Sequence, residues 1–279
     1  LNAKKLDINA GIGNDALGVL MGQFTYPYNN AGNTTTYSVR DIAGIPDKMF
    51  GLPDNNSNST THMMLYLPMV AADGNIWLNN NLGAHYANIN HASFNPAQQA
   101  TGATDHLAYG SLFQWGRKPD GHELITYTNG TTGTSPNGTT ATRPNADTAA
   151  NALFITINTG NYDWRGTTQN DALWATEASA NNPCPVGFRV PTNAELTTLV
   201  TAASITNSAS AASSILKFTV PGYLDNIDGT LSSQGARGYY WSSTVSGTRA
   251  SRRHFSTAAN TGTSDSVHAT GFTVRCLKD

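Results

Sequence analysis

Hydrophobic positions are scattered in the first part of the chain and become regular after residue 72. Residues 10–21 (AGIGNDALGVLM) are broken by glycine and support at best a weak helix. Apolar pieces at 24–28 and 37–45 flank the polar tract 29–36, and 53–61 (PDNNSNSTT) has the composition of a loop or linker. This pattern predicts an N-terminal extension or assembly region, 1–68, ahead of a main domain, 69–279. Beyond it, Asp73-Gly74 signals a turn and the triplet 76–78 (IWL) a short strand. Residues 107–115 (LAYGSLFQW) are apolar and aromatic enough for core, whereas 126–147 are rich in Thr, Gly, Asn and Pro and predict an exposed excursion. Trp164 and Trp174 return aromatic anchors to the interior.

The strongest local signal is RVPTNAEL at 189–196. Thr192 can cap a helix, Glu195 stands three residues later to cap back, and Leu196, Leu199 and Val200 share one face. A helix over 193–203 follows, with a weaker one over 208–216. Strands are predicted at 218–223 and 239–244, joined through Asp228-Gly229.

The stretch 235–276 has a different character. Tyr239, Tyr240 and Trp241 at one end and Phe272, Val274 and Cys276 at the other suit a rigid frame. Between them lie small polar residues and a basic cluster, Arg249, Arg252, Arg253 and His254. Such a middle buries too little apolar surface to order itself, and a scaffold pinning both ends is how binding loops are carried. Trp241 and at least one of Tyr239 and Tyr240 belong to the core. If Phe255 points inward, Arg252, His254 and Ala250 point outward, and Arg253 must reach a rim or a carboxylate. The basic cluster is either a recognition patch for an anionic ligand or a solvated strand face.

Composition narrows the classes. Only 12% of residues are charged, and the balance is made up by small polar residues and 26 Gly, so the chain is globular but rich in loops. A net charge of −2 gives no electrostatic reason for a nucleic-acid partner. The longest apolar run, 63–72, contains Pro68 and falls well short of the ~18 residues of a membrane span. His85, His91, His106 and His122 lack metal-ligand spacing. Residues 225–228 (DNID) suit a turn, with a structural calcium site as the less favoured alternative. Cys184 and Cys276 are either a disulfide or two buried thiols.

Five motifs recur in order: DGNIWL at 73–78 with NLGA at 81–84, YGSLFQWGR at 109–117, NPCPVGFRVPT at 182–192, GYYWSST at 238–244 and VRC at 274–276. Together they resemble the major paralogous domain first described in Fibrobacter and common in gut Bacteroidetes. The resemblance covers about 69–279. It implies an α+β domain with the C-type lectin-like fold in its formylglycine-generating-enzyme-like variant: a small twisted antiparallel sheet, one or two helices and long loops. It also implies a bridge between Cys184 and Cys276. The same fold is used by variable proteins of diversity-generating retroelements, in which one C-terminal stretch is rewritten and binds ligand. Ordinary members carry Asn and Tyr through the region matching 248–270, where this chain has Arg, Ser, His, Thr, Ala, Gly and Asp.

The resemblance therefore points to a variable ligand-binding stretch at 239–270. Its candidate contact residues are Tyr239, Val245, Ser246, Thr248, Arg249, Ser251, Arg252, Arg253, His254, Ser256, Asn260, Asp265 and His268. The implied partner is a protein or glycan receptor on a cell surface, reached from a phage tail fibre or a bacterial surface; homo-oligomerisation would run through residues 1–68. A pilin-tip or surface lipoprotein subunit is the alternative. The sugar-binding triplets of calcium-dependent lectins are absent, so no cofactor is expected. A bridged cysteine pair leaves no thiol nucleophile, and neither a Ser-His-Asp ordering nor a phosphate loop stands out, so no enzyme is expected.

Overall fold

The computed structural model describes residues 2–7, 19–27, 34–53, 61–167, 169–257 and 261–279, those before residue 44 as backbone only. The architecture is α+β, mostly short strands in open sheets with two α-helices. In the N-terminal part, Thr34–Ala43 pairs antiparallel with both Asn2–Asp7 and Val19–Pro27. Residues 19–21, read from the sequence as weakly helical, are therefore strand; residues 10–18 of that stretch lie outside the described residues.

Strand pairing and burial are also found ahead of residue 69. Ile45–Pro46 pairs antiparallel with Leu65–Tyr66, and Met64, Leu65 and Tyr66 are buried. Tyr66 donates its hydroxyl to buried Asp47 at 3.3 Å. Residues 54–60 of the linker-like run lie outside the described residues.

A four-stranded sheet closes the body on itself. Leu277–Lys278 lies between Phe188–Arg189 and Ile76–Leu78, and Pro68–Val70 forms the outer edge. The disulfide Cys184–Cys276 sits beside it, fully buried, with Cα atoms 5.9 Å apart. A second sheet runs Leu231–Ser232, Tyr223–Leu224, Gly271–Phe272, Phe113–Gln114. The predicted strand at 218–223 shrinks to Tyr223–Leu224, because Phe218 and Val220 face the core from irregular backbone.

The helix α1, Asn193–Ala202, forms where its signal stood: Thr192 and Glu195 complete a capping box, and Leu196, Leu199 and Val200 are buried. Arg189 holds Glu195 at 2.7 Å and Asp279 at 2.6 Å, tying the helix start to the chain end. The helix α2, Ser208–Ser213, is capped by Asn207 and is shorter than the expected 208–216. No helix among the described residues is long and apolar enough to cross a membrane.

All five tryptophans are fully buried, and each indole N–H has an acceptor. Trp115 donates to Ser242 O, Trp164 to Trp115 O, Trp174 to Asn181 O, Trp241 to Phe113 O and Trp77 to Asp73. Large apolar rings thus fill the interior while their polar atoms stitch loops to it, which compensates for the scarcity of regular structure. The 126–147 excursion is mostly exposed, except that Tyr127 is buried edge-on to Tyr109, ring centroids 5.0 Å apart.

Candidate ligand-binding cleft

The stretch singled out in the sequence folds as a long hairpin with a third strand. Arg237–Ser246 and Arg249–Ser256 pair antiparallel around a turn at Gly247, whose φ of 60° suits glycine, and Gly262–Ser266 pairs with the second strand. The register holds Tyr239 opposite His254 and Trp241 opposite Arg252, then shifts before Val245 meets Ala250. At this bulge Ser242 donates to Ser251 O at 2.7 Å. Ser243 N donates to Pro191 O and Thr244 Oγ1 accepts from Asn193 N, so the hairpin is pinned to the start of α1. Inter-strand bridges also join its first strand to residue 273: Trp241 N donates to Thr273 O and Thr273 N to Tyr239 O.

Both faces of the second strand are partly covered. One face carries Phe255 and Arg253 toward the helices. Phe255 joins Phe218, Tyr240, Leu196 and Leu199 in a buried cluster. Arg253 is only 8% exposed and donates Nη1 to the neutral Thr263 hydroxyl at 3.3 Å; burial lowers its pKa. Among the described residues it forms no salt bridge, and its guanidinium ends at the exposed Thr263 of the neighbouring strand. The opposite face was expected to point outward, but Ala250 is fully buried and belongs to the core cluster that also holds Tyr239, Trp241 and Phe272.

On that covered face, Arg252 marks the edge where the core opens. Its guanidinium carbon lies 4.6 Å from the Tyr239 ring centroid and 5.4 Å from that of Phe272. Nε donates to Ser266 Oγ at 2.7 Å, while Nη1 is buried without an acceptor. Burial lowers the Arg252 pKa. Beside it, a cavity of about 200 Å³ is walled by Tyr223, Asn226, Tyr239, Arg252, Ser266, Thr270 and Phe272. A neighbouring hollow of about 370 Å³ is lined by Tyr162, Asn226, Ile227, Arg249, Ser266, Val267 and Thr270. The two share Asn226, Ser266 and Thr270, so they form two lobes of one cleft. Among the described residues neither Arg249 nor Arg252 forms a salt bridge.

The sequence-predicted residues divide accordingly. Tyr239, Arg249 and Arg252 meet in the cleft. Ser246 and Thr248 are exposed at the hairpin turn beside it, and Val245 packs half-buried on the core. Ser251 and Ser256 are buried, and Ser251 donates to half-buried Asp265 at 2.7 Å. His254 is half-buried, its ring centroid 6.3 Å from that of Tyr239. Asn260 lies outside the described residues. His268 does not belong to an exposed binding surface: it is 2% exposed, stacks on Trp115 at 4.4 Å, and places Nδ1 3.5 Å from Asp163.

Sequence reasoning missed Tyr162, Tyr223, Asn226, Ser266 and Thr270. Asn226 belongs to the DNID turn, which was legible only as a turn. There Asp225 accepts from Ile227 N and Asp228 from Thr230 N, so both carboxylates serve the backbone. Asn226 reaches the cleft because its amide and its carbonyl both bond residue 157 across the fold.

A separate buried cluster, Asp120, His122 and Glu123, has a spacing that could hold a metal ion. Its donors are already used. His122 Nε2 accepts from Gln114 N at 3.0 Å, and Nδ1 lies 2.8 Å from Asp120 and 3.1 Å from Glu123. Glu123 also meets His62 at 2.6 Å and accepts from Gly121 N. Burial alone would raise the Glu123 pKa; hydrogen bonds from His122 and His62 overcome it and hold the carboxyl well below the usual range. Arg117 completes the network on Asp120 at 2.9 Å. The network clamps residue 62 to residues 117–123.

Comparison with known proteins found no matching family, no matching characterised protein and no matching solved structure.

Proposed function

We propose that this protein is a non-enzymatic ligand- or receptor-binding protein, and that the cleft beside the hairpin is its binding site. The observation that carries this reading is the pair Arg249 and Arg252, set in a cleft and free of salt bridges among the described residues. A half-buried cation with an unused donor is costly to maintain, and a bound acceptor removes that cost. Aromatic and arginine side chains are also the types that dominate binding energies once a partner desolvates them.

The C-type lectin-like fold is part of the proposal. The five motifs support it, as do the buried Cys184–Cys276 bridge and the closure of the C-terminal strand against Ile76–Leu78. With both cysteines bonded, no thiol serves the cysteine chemistry of formylglycine-generating enzymes. In this reading 239–270 is the stretch diversified by a retroelement, and display is on a phage tail fibre or a bacterial surface, facing a protein or glycan receptor. Diversification is testable in the neighbouring DNA, where a reverse transcriptase and a near-copy of the 240–276 coding region are expected. Their absence would favour a static pilin-tip or lipoprotein subunit.

Binding itself is tested by screening the protein against arrays of glycans and cell-surface proteins. Signals are expected that disappear when Arg249 and Arg252 are both replaced by serine. Signals that survive this replacement would move the site elsewhere.

A further inference from the structure

We infer that the cleft takes a sugar unit bearing a carboxylate, a hexuronic acid being the simplest case; this rests on the binding-module reading and deepens it. Charge sets the first requirement. Arg252 uses Nε on Ser266 and leaves Nη1 without an acceptor, and Arg249 lines the adjoining lobe. Among the described residues neither forms a salt bridge; Asp265 attracts both through space without pairing, and Arg237 adds a further positive charge near Arg252, so the balance of the cleft favours an anion. A planar guanidinium fork matches a planar carboxylate.

Shape and lining set the second. The lobe at Arg252, about 200 Å³, is smaller than the roughly 300–1,000 Å³ of drug-sized pockets, so it suits one small unit of a larger ligand. Its walls are not those of a bare anion hole. Tyr223 and Tyr239 stand edge to face, centroids 5.4 Å apart, and both line the lobe, half-buried Tyr223 being the one with more ring surface left open. Asn226, Ser266 and Thr270 line the same lobe with an amide and two hydroxyls, the Asn226 nitrogen bonded to Ile157 O and Ser266 Oγ accepting from Arg252 Nε. Thr270 Oγ1 reaches Asn226 Oδ1 only at 3.5 Å, a contact long enough to give way to a ligand hydroxyl. Aromatic surface for ring C–H groups, neutral polar groups for hydroxyls and an arginine for the carboxylate together describe an acidic sugar better than an acidic peptide, which would need none of the hydroxyl partners.

The test is calorimetric or NMR titration of the intact protein with glucuronic and galacturonic acids, with glucose and galactose as neutral partners, and with acetate, sulfate and an aspartate-rich peptide as anionic controls. Binding of at least one uronic acid is expected, at least tenfold tighter than its neutral sugar and than acetate. Arg252→Gln is expected to abolish the preference for the acid over the neutral sugar, and Arg249→Gln, at an exposed position, to weaken it without altering the fold. Equal binding of acid and neutral sugar, acetate or sulfate binding as well as the uronic acid, peptide binding in preference to sugar, no uronic acid binding, or indifference to both substitutions would each overturn the inference. Array signals that depend on Arg249 and Arg252 but come from neutral glycans or proteins would overturn this inference alone. Array signals indifferent to both arginines would overturn the binding-site reading beneath it.

Discussion

Arg252 stands over Tyr239 with its guanidinium carbon 4.6 Å from the ring centroid, so the residue assigned to ligand also shields the edge of the core. The same guanidinium covers Phe272 at 5.4 Å. Recognition and packing therefore meet at this one side chain, and its substitution has a stability cost that an ordinary surface position would not.

That cost is small. A cation–π contact at a partly exposed site is worth about 0.5–1 kcal/mol, and 1 kcal/mol shifts the Tm of a domain of roughly 150–250 residues by about 2–4 °C. Arg252→Ala with His254→Ala is expected to lower Tm by only a few degrees in a thermal melt. A drop of fifteen degrees would make this edge scaffold.

Trp241→Ala is expected to act in the opposite way. Its indole is fully buried against Phe272 at 4.5 Å and donates to Phe113 O at 2.8 Å. Truncation leaves a cavity and an orphaned carbonyl, at about 3–5 kcal/mol. Denaturant melts should show this loss, and any binding defect should follow the unfolded fraction.

The disulfide is expected to be the largest single covalent contribution. Cys184 and Cys276 are 92 residues apart in sequence. The chain-entropy relation gives about 4.7 kcal/mol for a loop of roughly 100 residues. Cys184→Ser with Cys276→Ser should lower Tm strongly, and unreduced peptide mapping should recover the linked pair. Equal melting of the oxidised and the variant proteins would contradict this.

Why the sequence revealed the frame but only part of the cleft is visible in particular residues. Thr192 and Glu195 specify a helix start within four positions, and Trp241 has no stable place outside a core, so both were legible locally. Tyr223, Asn226 and Thr270 reach the cleft only through contacts between distant segments, such as Asn226 with Ile157, and no local pattern encodes those. Ala250 misled through strand alternation, and His268 through the bounds that the resemblance gave the binding stretch. Strand alternation gives the side on which a residue stands, but not whether the core will cover that side.

A pH dependence follows from His85. Burial, with repulsion from His91 and His106, lowers its pKa from the usual 6.5 to about 4, and its ring stacks on His91 at 4.1 Å. Between those values the unfolded chain binds the proton and the folded one does not. The contribution is therefore complete above about pH 6.5 and is lost as pH falls toward 4. Tm should decline between pH 7 and pH 4.5, and His85→Gln should flatten the decline. An unchanged slope in the variant would remove His85 from this role.

The central claim is that the cleft binds while the aromatic core and the bridge hold the fold. Its most direct measurement is array binding of the wild-type protein beside Arg249→Ser with Arg252→Ser, each at matched Tm-verified folding. The expected result is a set of wild-type signals that the double variant loses while its melt shifts by only a few degrees. Retention of the same signals at the same strength by the folded double variant would contradict it.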